Sequence, residues 1–157
     1  MPQLSGHPEI FQGDTARQDA SQLFPLGARA AELNGNEWVY LRGTTSVVAG
    51  SWMLVGSGFV TSSAFADDQG RLAIAGTAHT DASTYGWFQV YGQNSAARIS
   101  DAVAANVALF LSASQGHVSD TDVAQDAIVG AVSLAASVGS TCLVSISYPF
   151  AHDIALD

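Results

Sequence analysis

The sequence predicts an all-β fold: an antiparallel barrel or sandwich of about 7–9 short strands behind an irregular N-terminal arm. Three observations carry this expectation. Short apolar runs recur from Glu37 to Phe150, each broken by Gly, Asp, Asn or Ser. Several runs alternate with a period of two, which puts residues i and i+2 on one face of a strand. The run Tyr85-Gly86-Trp87-Phe88-Gln89-Val90-Tyr91-Gly92 is rich in the aromatic and β-branched residues that fit a pleated surface.

Residues 1–25 read as the arm. Pro2, Pro8 and Pro25 disfavour helix at the residues before them, and Leu4, Ile10, Phe11, Leu23 and Phe24 are isolated apolar anchors among polar neighbours. Such a segment is ordered only where its anchors dock, and Ile10-Phe11 and Leu23-Phe24 are the candidates to grip a neighbouring subunit. The first clear strand is Glu37–Arg42, entered through the turn Asn34-Gly35-Asn36. Val47-Val48 continues strand-like material. Trp52 to Thr61 forms a longer run whose Gly56 and Gly58 suggest a bulge or corner. Asp67-Asp68-Gln69-Gly70 turns into Arg71–Thr80, where Leu72 and Ile74 share one face and Ala73 and Ala75 the other.

In the Tyr85–Tyr91 run, Tyr85, Trp87, Gln89 and Tyr91 point one way, Phe88 and Val90 the other. One face is the core. The other needs cover from a loop, the arm or a neighbour, because contiguous exposed aromatics mark a binding surface. Residues 99–115 fit either a helix capped by Ser100 or a loop through Ala105 followed by a strand, and the all-β flanks favour the second. Val118 pairs briefly, and Ile128–Leu134 is a strand. The last strand runs from Thr141 to Tyr148, with Cys142, Val144, Ile146 and Tyr148 on one face, and Pro149 ends it. The chain thus divides into an arm (1–25), a β domain (26–150) and a tail (151–157).

With 157 residues the chain is long enough to bury a substantial core as one domain. It carries five Arg, no Lys and fourteen acidic residues, for a formal charge of -9. That balance argues against nucleic acid, whose phosphates call for a basic stripe, and against anionic membrane. Self-association adds acidic charge and does not cancel it. The single Cys142, in an alternating apolar run, is expected to be a buried thiol. Residues 1–30 lack the basic and apolar order of a secretory signal, and no stretch has transmembrane length.

No residue pattern demands chemistry, and the chain is expected to have no enzymatic activity, cofactor or metal. His79 and Asp81 share a face at a strand end, but zinc needs three or four converging ligands, and His7, His117 and His152 lie in loops or termini. Asp120, Asp122 and Asp126 imitate the first, third and seventh positions of a calcium loop, yet Gln125 stands where that loop requires Gly and Ala131 where it requires Glu. Ser51 and Ser57 adjoin glycines without forming a nucleophile elbow.

Leu26-Gly27, Asn36-Glu37-Trp38-Val39-Tyr40-Leu41, Gly70-Arg71-Leu72-Ala73-Ile74-Ala75-Gly76, Tyr85 to Gly92, Ile128-Val129-Gly130 and Val144-Ser145-Ile146 occur in this order. Over roughly residues 26–150 this resembles the small capsid decoration, or cement, proteins of tailed bacteriophages. The resemblance implies a β-rich structural protein, made in the host cytoplasm, that binds the major capsid protein on the outer surface of the virion and reinforces joints between capsomers. It also implies a homo-oligomer, with a trimer favoured over a dimer. The expected capsid or subunit interface comprises Ile10, Phe11, Leu23, Phe24, Tyr85, Trp87 and Tyr91. Two rival readings are another capsid or tail-fibre component, and a carbohydrate-binding β module with Trp87 or Trp52 as an exposed sugar platform.

Overall fold

The computed structural model describes residues 14–122 and 126–153. Among these residues the chain forms ten strands and no α-helix: β1 (Arg29–Ala31), β2 (Glu37–Arg42), β3 (Trp52–Val55), β4 (Thr61–Ser63), β5 (Gly70–Ala75), β6 (Tyr85–Arg98), β7 (Ala108–Leu111), β8 (Val118–Ser119), β9 (Asp126–Ser133) and β10 (Thr141–Asp153). They join in one sheet in the order β1-β2-β6-β5-β10-β9-β7-β8, with β3 on the free side of β5 and β4 on β3, and the strand pairings are antiparallel. The all-β expectation holds, and residues 99–105 form the expected loop before β7.

The alternation in β5 has an unusual result, because both of its faces are buried. Leu72 and Ile74 enter a large core with Trp52, Leu109, Leu111, Val144 and Ile146, while Ala73 and Ala75 enter a second with Val39, Leu41, Met53, Phe88 and Val90. A third cluster joins Ala30, Trp38, Tyr40 and Trp87, with Phe24, Leu26 and Ala28 packed on it. Here the lead segment covers its own sheet. Asp19 exchanges backbone hydrogen bonds with Tyr85, and the Phe24 ring meets Tyr40 at 5.2 Å and Trp87 at 5.3 Å between centroids.

Four local expectations are corrected. Val47 makes only an isolated bridge to His79, so residues 47–48 are not a strand. The run from Trp52 to Thr61 is two strands, β3 and β4, folded back by a 3-10 turn at Ser57–Phe59. Pro149 does not end β10. It sits inside the strand at a register shift between Ile146 and Phe150, where a missing N–H breaks no ladder bond. Tyr148 there adopts φ 48°, and this bulge throws its ring out of the face shared by Cys142, Val144 and Ile146.

A second bulge acts on β6. Its register against β2 passes from Gln89 opposite Trp38 to Tyr91 opposite Glu37, so Val90 is the extra residue. One inserted residue reverses the face of everything beyond it. Tyr91 is therefore separated from Trp87 and placed beside Glu37 and Tyr148.

Candidate binding groove at a three-strand fork

The two bulges fall where β5, β6 and β10 meet. The β6–β10 ladder ends at Tyr91 opposite Ser147, the β5–β10 pairing lies at Arg71 opposite Phe150, and the β5–β6 pairing lies at Ile74 opposite Gln89. Each strand thus exchanges one partner for the other across a gap occupied by Leu72, Ala73, Val90, Tyr148 and Pro149. A groove of about 240 Å³ opens over this gap, walled by Val39, Val55, Leu72 and Val90 and rimmed by Phe59, Tyr148, Arg29 and Arg71.

The rim is built from both bulges. The Arg29 guanidinium lies 5.2 Å from the centre of the Tyr148 ring and 3.9 Å from the Glu37 carboxylate. The Tyr148 hydroxyl donates a short hydrogen bond to the same carboxylate, which, ahead of partial burial, holds the phenol above its ordinary pKa. Tyr91 packs against Tyr148 with centroids 5.7 Å apart. Phe150 and Val129 pair across β10 and β9 beside Arg71 and are exposed with them. Tyr91 (41% exposed), Tyr148 (47%) and Phe150 (42%) give this face an aromatic surface that the fold leaves in water.

The chain matches no family model, no curated protein and no solved structure.

The residues expected at an interface are divided by the fold. Ile10 and Phe11 lie outside the described residues. Trp87 is 1% exposed, and Tyr85 and Phe24 are half-buried in the same cluster. Leu23 is exposed, and Tyr91 is exposed beside Tyr148. Trp52 is wholly buried as well, so neither Trp52 nor Trp87 forms a sugar platform. Sequence reasoning missed Arg29, Arg71, Tyr148 and Phe150 at this face. The signal available was Tyr148-Pro149, a proline inside an otherwise regular strand pattern, which marks a bulge as readily as an end.

His79 and Asp81 lie in different surroundings. His79 is buried with its ring stacked on Phe88, whereas Asp81 is exposed and accepts hydrogen bonds from the Ser83 hydroxyl and amide, which hold its carboxyl below the ordinary value. Asp120 accepts the Ala104 amide at 2.9 Å, a loop-building role. No group of three metal-ligating side chains occurs among the described residues. Cys142 is buried, its Sγ 3.2 Å from the Ala135 carbonyl, and burial pushes its thiol pKa up, away from reactivity. A second, more open cleft of about 550 Å³ runs past Asn34, Asn36, Tyr91 and Gln93. Its amides build the hairpin turn: Asn34 and Asn36 both bond Glu32, and Asn36 Oδ1 accepts the Gln93 amide.

Proposed function

We propose that this chain is a structural adhesive of a tailed-bacteriophage virion, binding the major capsid protein on the outer shell and stabilising joints between capsomers. The observation that carries the adhesive part is the exposed face of Tyr91, Tyr148, Phe150, Arg29 and Arg71 around the fork. Tyr and Arg are the residue types that dominate binding energy at protein interfaces, and an aromatic surface of this kind has a cost in water that a partner removes. The capsid destination and the oligomeric habit rest on the resemblance of residues 26–150. Many weak copies acting together give firm attachment without any one strong site.

Cosedimentation with expanded, undecorated capsids tests this. The full chain is expected to pellet with the shell, and a Tyr91→Ser, Tyr148→Ser double variant to need about tenfold more protein for half-occupancy, the equivalent of about 1.4 kcal/mol per site. No pelleting with any shell tried sinks the capsid reading. Equal occupancy by the double variant removes the aromatic face from it.

A further inference from the structure

We propose that the fork groove receives an apolar side chain from a partner protein, and that Arg71 binds a carboxylate next to it on the same partner segment. This deepens the adhesive reading, on which it rests, by naming the chemistry the face recognises.

Arg71 is set apart by what the other arginines do. Arg17 bonds Asp19, Arg29 covers the Tyr148 ring and faces Glu37, Arg42 donates to the Ala82 carbonyl, and Arg98 donates to His117. Arg71 is exposed and lines the groove, and its guanidinium has no hydrogen-bond or ion-pair partner among the described residues. Among the described residues the guanidinia of Arg42, Arg71 and Arg98 meet no carboxylate, and of these three it is Arg71 that lies at the mouth of the apolar groove. Glu37 does not supply one, since it is engaged by Arg29 and Tyr148. A guanidinium offers a planar fork of donors that a carboxylate fills with two bonds, so this position selects an anion over a neutral amide.

The walls specify the rest of the ligand. Val39, Val55, Leu72 and Val90 present no hydrogen-bonding side chain, so what enters is apolar. The volume of about 240 Å³ lies under the roughly 300–1,000 Å³ of small-molecule sites. It suits one side chain of a longer segment. The fork also explains why the groove stays open, because Pro149 has no N–H with which to close the gap between β10 and its neighbours.

Titration of the isotopically labelled full chain with short blocked peptides, followed by nuclear magnetic resonance, tests the proposal without any capsid. N-acetyl-Gly-Leu-Asp-Gly-amide is expected to shift Leu72, Val90 and the Arg71 side chain saturably, with a Kd of about 1 mM. The Leu-Asn and Ala-Asp counterparts are expected to bind about tenfold more weakly. Arg71→Gln is expected to abolish the preference for Asp over Asn while leaving thermal unfolding unchanged, and Arg71→Lys to retain part of it. Equal binding of the Asp and Asn peptides, or no shift up to about 10 mM, overturns the proposal. So does 4-methylpentanoate binding as tightly as the peptide, since the site would then be one for a small carboxylate. A positive titration with no capsid pelleting removes only the capsid destination, and pelleting without a titration removes only the groove chemistry.

Discussion

Asp19 is buried, and each of its oxygens is used: Oδ2 accepts the Tyr40 hydroxyl and Oδ1 the Arg17 Nε, both at 2.7 Å. Tyr40 in turn accepts the Leu23 amide, so one carboxylate fixes the lead segment on the third core cluster. Asp19→Ala is expected to lower stability by about 1–3 kcal/mol, read from the urea midpoint, because Tyr40 is left as a buried donor without an acceptor. Burial pushes the Tyr40 pKa up to about 12. The unfolded phenol ionises near 10, so its contribution is complete below pH 10 and is lost as pH rises from 10 to about 12. His79 behaves in the opposite direction. Thr84 gives its hydroxyl proton to the Asp81 carbonyl, so His79 Nδ1 donates to Thr84 and Nε2 is left without a partner in the core. Burial lowers the His79 pKa from 6.5, so the unfolded chain takes up the proton first. Stability is therefore full above pH 6.5 and falls as pH drops below it, and the fall measured by urea unfolding at pH 8 and pH 5 is expected to shrink in His79→Gln. None of this was legible in the residues themselves. Asp19 is one acidic residue in a polar lead, and His79 and Asp81 have the spacing of a shared face until the strand stops at Ala75.

The strands were legible where a run rich in aromatic and β-branched residues follows a turn signal. Glu37–Arg42 is β2 as expected, and the turn Asn34-Gly35-Asn36 precedes it with Gly35 at φ 90°. Alternation misleads beyond a bulge, as at Val90 and Tyr148, because the bulged residue is recognised by what it pairs with and not by its own type. Gly130 lies opposite the β10 bulge at φ 80°, where a Cβ would collide with the Ser147 carbonyl. Gly130→Ala is expected to cost about 1–2 kcal/mol in urea unfolding and to disturb the Tyr91–Tyr148 face, read as changed tyrosine ring shifts. The cover over Trp87 gives a second test at this scale. Phe24→Ala is expected to cost about 1–3 kcal/mol and to shift tryptophan emission to the red as water reaches the cluster. For the same reason, deleting residues 1–25 is expected to destabilise the β domain, because Asp19 and Phe24 leave with the arm.

At the scale of the whole molecule, the sheet turns its chemistry toward one face. Three separate cores use up most of the large apolar side chains, and Tyr91, Tyr148 and Phe150 remain exposed around the fork with Arg29 and Arg71. If this face is used between copies of the chain, light scattering after size exclusion is expected to give a trimer that the Tyr91→Ser, Tyr148→Ser variant reduces to monomer. If the face is reserved for the shell, the same variant leaves the free oligomeric state unchanged and loses capsid occupancy.

The sequence alone determined the fold class, the main strands and turns, the buried Cys142 and the acidic surface, because these follow from local alternation, turn chemistry and composition. Only the tertiary structure decided which aromatics are spent and which are offered. Trp87 and Tyr91 stand four residues apart on a run that alternates without interruption, yet one is sealed beneath Phe24 and the other is exposed against Tyr148. The reason is long-range: the bulges at Val90 and Tyr148 exist because β6 and β10 each pair with β5 as well as with each other, and strand pairing of that kind leaves no trace in the spacing of a single strand.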